Sequence, residues 1–142
     1  MNKAITPPFT LESAKKKVQM AEDLWNSQDP QKIILAYTED STWRNRGEFI
    51  QGRQAIEEFL SQKWQSELNY TLRKELFSFN DSKIAVQFEY EYQDQQGQWF
   101  RAYGNEHWQF AADGRMQQRD ASINDIKILE QDRKIHSHGD TK

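Results

Sequence analysis

The chain of 142 residues has no cysteine, only three prolines and six glycines, and three histidines. Without cysteine there is no disulfide framework, no thiol nucleophile and no thiolate metal site. The histidines, His107, His136 and His138, are too scattered in the sequence to build a metal centre, so none is expected. No stretch approaches the ~18 apolar residues of a membrane span, and the opening "MNKAITPPFTLES" lacks the apolar core of a secretion signal. A cytoplasmic protein without a membrane partner is the expectation. Charge of one sign is lacking too: 19 Lys and Arg are interspersed among 22 Asp and Glu for a net charge of -3. The basic stripe of a nucleic-acid binder is therefore missing, and no nucleic-acid partner is expected.

Aromatic residues are plentiful at 13%, within an apolar total of 36%. The core must lean on a few large rings, and one domain of this length buries roughly two-thirds of its unfolded surface. Residues 1–9 read as an extended lead-in. Thr10 caps a helix whose apolar stripe is Leu11, Ala14, Val18, Ala21 and Trp25. Asp29-Pro30 opens a short second helix through Ile33, Ile34 and Tyr37. A third runs from about Arg53 to Ser66, with Ile56, Phe59, Leu60 and Trp64 inward. Short strands at 42–46 and 48–51 lie between the second and third helices. From Asn69 the period changes to two, and turns at 80–82, 94–97 and 112–114 separate four strands of an antiparallel meander. The order implies one α+β domain over residues 10–128, with three N-terminal helices packed on one face of a curved, mostly antiparallel sheet. The polar tail 129–142 is expected to fray.

Registers then decide faces. Asp94 to Gly97 has the chemistry of a three-residue loop closed by a glycine bulge, which opposes Tyr92 to Phe100, Tyr90 to Ala102, Phe88 to Gly104, Val86 to Glu106 and Ile84 to Trp108. The other face opposes Glu91 to Arg101, an ion pair, and Gln87 to Asn105. Glu106 is thus the one charge on an aromatic face, between Gly104 and Trp108, and must be paired or raised in pKa. Two registers remain for the last strand. A two-residue turn at Asp113-Gly114 brings Arg119 opposite Trp108 and diagonal to Glu106. A bulge closed by Gly114 turns Asp120, Ser122 and Asn124 inward instead. The cost of two unpaired carboxylates favours the first. In "TWRNRGEFIQGR", Trp43 and Asn45 share the covered face and Arg44 and Arg46 the outer one.

The candidate site is accordingly Glu106 as acid or base, Asn45 to orient an oxygen and Arg119 to steady negative charge, with Trp43, Phe59, Trp64, Phe88, Tyr90, Gly104 and Trp108 as pocket wall. The plainer reading makes Glu106 and Arg119 a structural ion pair, Trp43 and Asn45 core residues, and Ser122 and Asn124 backbone-bonding residues at a strand end. The outer residues Arg101, Tyr103, Asn105 and His107 mix aromatic and polar groups as a homodimer face does.

From Pro8 to Ile128 the chain resembles the nuclear transport factor 2-like superfamily, which includes the SnoaL-like polyketide cyclases. The strings "PFTLESA", "WRNRGEFIQGR", "RAYGNEHWQF" and "ASINDIKI" are similar to a small bacterial family in it whose function is unassigned. The resemblance implies a cone-shaped fold, a pocket between helices and concave sheet, and a homodimer. It also implies a small, partly apolar ligand handled without metal or organic cofactor, as in isomerases, dehydratases and cyclases. The Tyr-x-Asn of limonene epoxide hydrolase is matched only at Asn45, its Arg-x-Asp falls at Phe88 and Tyr90, and its last-strand Asp at Ala121, so that apparatus is absent here. The carboxylate base and acidic hydrogen-bonding pair of ketosteroid isomerase have no match either. A non-catalytic binding or dimeric interaction module of the same fold is the alternative, because fold alone does not give function.

Overall fold

The computed structural model describes residues 4–136. Helix α1 spans Leu11–Asn26 and opens on a capping box, in which Thr10 Oγ1 accepts from the Ser13 backbone and the Ser13 side chain returns the bond. Its buried stripe is Ala14, Val18, Glu22 and Trp25; Leu11, expected on that stripe, is exposed, and Glu22 takes a place in it. Helix α2, Pro30–Ile33, starts at the Asp29 cap with Pro30 in the first turn and continues as a 3-10 turn over Ile34–Ala36. Tyr37, expected on this helix, is instead the first residue of strand β1, Tyr37–Asn45. Strand β2 is Glu48–Gln51 and helix α3 is Arg53–Ser66, after which come β3 (Leu68–Phe79), β4 (Lys83–Gln93), β5 (Trp99–Phe110) and β6 (Met116–Ile128).

All six strands form one sheet in the order β2-β1-β6-β5-β4-β3. The early strands are therefore not a separate element: β1 joins the meander by parallel pairing with β6, while the other pairs are antiparallel. The α+β class stands, and only α1 and α2 precede the whole sheet. Every pairing expected between β4 and β5 is present, from Tyr92 opposite Phe100 to Ile84 opposite Trp108. Edge strand β3 has free backbone groups, and α1 covers them: the Asn26 amide bonds both N and O of Leu72, and Glu22 accepts from Lys74 N at 2.7 Å.

The β5–β6 turn reaches the favoured register by the disfavoured route. Ala111 pairs with Arg115 around a three-residue turn, and Gly114 closes it at a φ of 91°. That turn alone would bring Asp120 inward. The register then shifts once between Gln109 and Phe110, leaving Phe110 opposite Met116 but Gln109 opposite Gln118. The extra residue on β6 restores Trp108 opposite Arg119 and Glu106 opposite Ala121.

The ends are better packed than the sequence implies. Phe9 is buried against Phe110, with centroids 5.0 Å apart. Beyond β6 the chain does not fray over its described part: a 3-10 turn at Glu130–Asp132 leads to Ile135, which is buried. The segment is held because Glu91 accepts from the backbone N–H groups of Lys134 and Ile135. Residues 137–142, including His138, lie outside the described residues.

Candidate functional site

Four strands deliver one polar side chain each to the aromatic interior: Asn45 from β1, Lys74 from β3, Glu106 from β5 and Arg119 from β6. Glu106 is 1% exposed and accepts from three donors. Lys74 Nζ is 2.6 Å from Oε1, Trp108 Nε1 is 3.1 Å from the same oxygen, and Arg119 Nε is 2.7 Å from Oε2. Arg119 Nη1 donates to Asn45 Oδ1 at 3.1 Å.

Rings enclose these charges. The Arg119 guanidinium lies 4.5 Å from the Trp43 ring centroid and 4.9 Å from that of Trp25. Lys74 Nζ lies 4.6 Å from Phe88 and between 5.5 and 5.6 Å from Trp108 and Trp25. Each cation is thus held by a carboxylate on one side and π faces on the other, which is how a desolvated cation is kept in a core.

Burial pushes the Glu106 carboxyl up, but Lys74 and Arg119, through charge and hydrogen bonds, outweigh it and bring it down to about 2. Lys74 is moved the other way: burial lowers its pKa, Arg119 adds to the lowering, and Glu106 only partly restores it. Burial keeps the Tyr37 hydroxyl protonated, with its pKa well above the ordinary value.

Of the residues expected at the site, Glu106, Asn45 and Arg119 converge, with Trp43, Phe88 and Trp108 around them. Tyr90 lines the same small cavity and stacks near Phe88. Gly104 does not leave room for a ligand: a Cβ there would fall 2.1 Å from the Phe88 ring, which already fills the space. Phe59 and Trp64 form an outer layer, with centroids 5.9 Å from Trp43 and 5.9 Å from Trp25 respectively. Arg44 faces outward and pairs with Asp120, whereas Arg46, expected on the same face, turns to the inner side: it pairs with Asp125, which lies opposite Ala102 and accepts from the Tyr92 hydroxyl.

Lys74 was missed, although a signal for it exists: in "YTLRKEL" the period of two that buries Tyr70 and Leu72 also turns Lys74 inward. The cavity beside the cluster, lined by Asn45, Tyr70, Lys74, Tyr90 and Glu106 among others, has a volume of about 10 Å³. That is room for about one water-sized group. The indole N–H groups of Trp43 and Trp64 are buried without a partner among the described residues. Among those residues no group of three or more His, Asp or Glu could hold a metal ion, and no helix is long and apolar enough to cross a membrane.

A six-stranded curved sheet covered by helices, enclosing a polar cluster, is the architecture of nuclear transport factor 2-like proteins. The chain belongs to the family described as "Protein of unknown function (DUF1348)", which matches residues 7–136. Among solved structures it is similar to SalBIII, an epoxide hydrolase/cyclase-like enzyme described as having a role in pyran ring formation in the polyether salinomycin. The TM-score is 0.71 at 18% identity, over 80% of this chain and 92% of that one. It is also similar to an NTF2-like protein of unknown function from Cytophaga hutchinsonii, with a TM-score of 0.61 at 12% identity, over 81% of this chain and 100% of that one. No curated protein matches the chain in sequence. At these identities the likeness shows the fold.

Proposed function

We propose that this protein binds a small, partly apolar molecule through an oxygen that carries or develops negative charge, received by Lys74 and Arg119 without metal or organic cofactor. The observation behind this is a fully buried carboxylate shared by two cations inside a ring of tryptophans. A carboxyl at about 2 is ionised at any physiological pH and is a weak base. Glu106 therefore positions the two cations, and Asn45 fixes the guanidinium plane. The enclosure between α1, α3 and the inner sheet face is where the resemblance would put such a ligand, its oxygen in the small cavity and the rest of the molecule further out.

One observation favours a second reading, an enzyme of isomerase, dehydratase or cyclase type. Lys74, whose pKa burial lowers, is better suited than the strongly ionised Glu106 to give up and take back a proton. The neighbouring SalBIII fold supports that reading by analogy alone. A homodimer through Tyr103, Asn105 and His107 of the outer face, in a cytoplasmic setting suited to a chain without cysteine, completes the proposal.

Thermal shift and calorimetric titration with benzoate and its neutral amide test the binding. Saturable stabilisation by benzoate, absent with benzamide and lost in Arg119→Lys, supports the reading, since lysine keeps the charge but not the forked donor. Equal responses to both compounds contradict it.

A further inference from the structure

A second space adjoins the cluster. A groove of about 410 Å³ runs between α1 and the β1, β5 and β6 side of the sheet, walled by Met20, Leu24, Trp25, Trp108 and Phe110. Its size is that of a small-molecule site, where the cavity at Glu106 is not. Trp25 lines both spaces, and its ring covers the two cations. Tyr37 also lines the groove and is 3% exposed. Its hydroxyl accepts from Trp25 Nε1 at 3.2 Å, and its own O–H has no acceptor among the described residues. Arg119 and Glu106 are close enough for their charges to act on that hydroxyl. A neutral, buried donor with an unused proton in an apolar wall calls for an acceptor oxygen on the occupant.

We infer that this groove holds the apolar body of a compact carbonyl compound whose oxygen accepts from Tyr37, with Trp25 as the partition between it and the Lys74–Arg119 pair. The groove is a space separate from the cluster, on the other side of the Trp25 ring, so the inference goes beyond the proposed function. It adds a ligand class, compact apolar carbonyl compounds, and a specificity residue, Tyr37.

The groove is tested alone with 1-indanone and with indane, which has the same skeleton without the oxygen. The five tryptophan indole N–H signals are followed by NMR in the full chain. Indanone is expected to shift Trp25 and Trp108 saturably and to leave Trp99, on the outer face, unmoved. Indane should bind roughly three- to tenfold more weakly, the worth of one neutral hydrogen bond, and Tyr37→Phe should remove that difference. Met20→Arg, at a half-exposed rim position, should abolish both responses with the fold intact. No saturable shift, equal binding of the two probes to the wild type, or shifts that Met20→Arg leaves unchanged would overturn the inference. A benzoate response without an indanone response sinks the groove and leaves the proposed function standing. The reverse outcome sinks the proposed function and leaves the groove standing.

Discussion

Two fully buried carboxylates lie on neighbouring strands of this sheet, Glu91 on β4 facing outward and Glu106 on β5 facing inward, and the protein treats them differently. Glu91 is satisfied by Arg101 Nε at 2.8 Å and by the backbone N–H groups of Lys134 and Ile135. Arg101 in turn donates to the carbonyl of Asp132, so the carboxylate clamps the C-terminal segment onto the sheet. Backbone donors of this kind specify a conformation and leave no charge in surplus. Glu106 receives two side-chain cations and an indole, with no backbone donor among its bonds. Two buried cations on one carboxylate are a costly way to hold a core together, and the proposed binding role rests on that contrast. Burial alone does not distinguish the two acids; the kind of donor does.

The largest expected effect falls on Glu106. Glu106→Gln leaves Lys74 and Arg119 buried without their counter-charge and is expected to cost about 3 to 5 kcal/mol in denaturant unfolding. Glu91→Gln keeps an acceptor oxygen for the segment and is expected to cost less, about 1 to 3 kcal/mol, while speeding proteolysis after Leu129. If Glu91→Gln proved the more damaging, the contrast between the two sites would fail. Next in size is the coupling of Glu106 to each cation. In double-mutant cycles of Glu106→Gln with Arg119→Met and with Lys74→Met, strict additivity in either would remove that partner from the cluster.

Acid gives a third handle. The Glu106 carboxyl titrates at about 2 in the folded chain against an ordinary 4.5, so its stabilisation is complete above the ordinary value and is lost as pH falls from there towards 2. A loss of about 3 kcal/mol over that window, absent in Glu106→Gln, is expected. Lys74 has the opposite sense: with its folded pKa lowered, the unfolded chain binds more protons below the ordinary 10.5, and stability rises with pH there. The smallest effect concerns the outer face. Sedimentation should show a dimer of the 16.9 kDa chain, weakened by Tyr103→Glu. A monomer at high concentration would leave the Glu91 clamp as that face's main feature.

Much of this was legible in the sequence. Period two and the Asp94–Gly97 turn placed the β4–β5 register residue by residue, and with it the inward Glu106 and the outer Glu91–Arg101 pair. The Glu106–Arg119 pair was legible only as one of two registers, and its choice depended on a bulge in β6 that no residue type announces. Lys74 is legible only through its neighbours: the period of two that buries Tyr70 and Leu72 turns it inward, against the habit of lysine to face solvent. The C-terminal clamp escaped because its donors are backbone groups, which any polar stretch can supply. The occupied space at Gly104 was illegible too, since a missing side chain invites a ligand and a neighbouring ring equally.

Glu106 is held ionised by two cations and is not a poised base. Carboxyl ¹³C shifts of the labelled glutamates, followed against pH and assigned by difference with Glu106→Gln, measure this directly. Glu106 is expected to keep the shift of an ionised carboxylate down to about pH 3 and to begin to protonate only below it. A midpoint at or above the ordinary glutamate value would contradict it and return Glu106 to the role of acid or base.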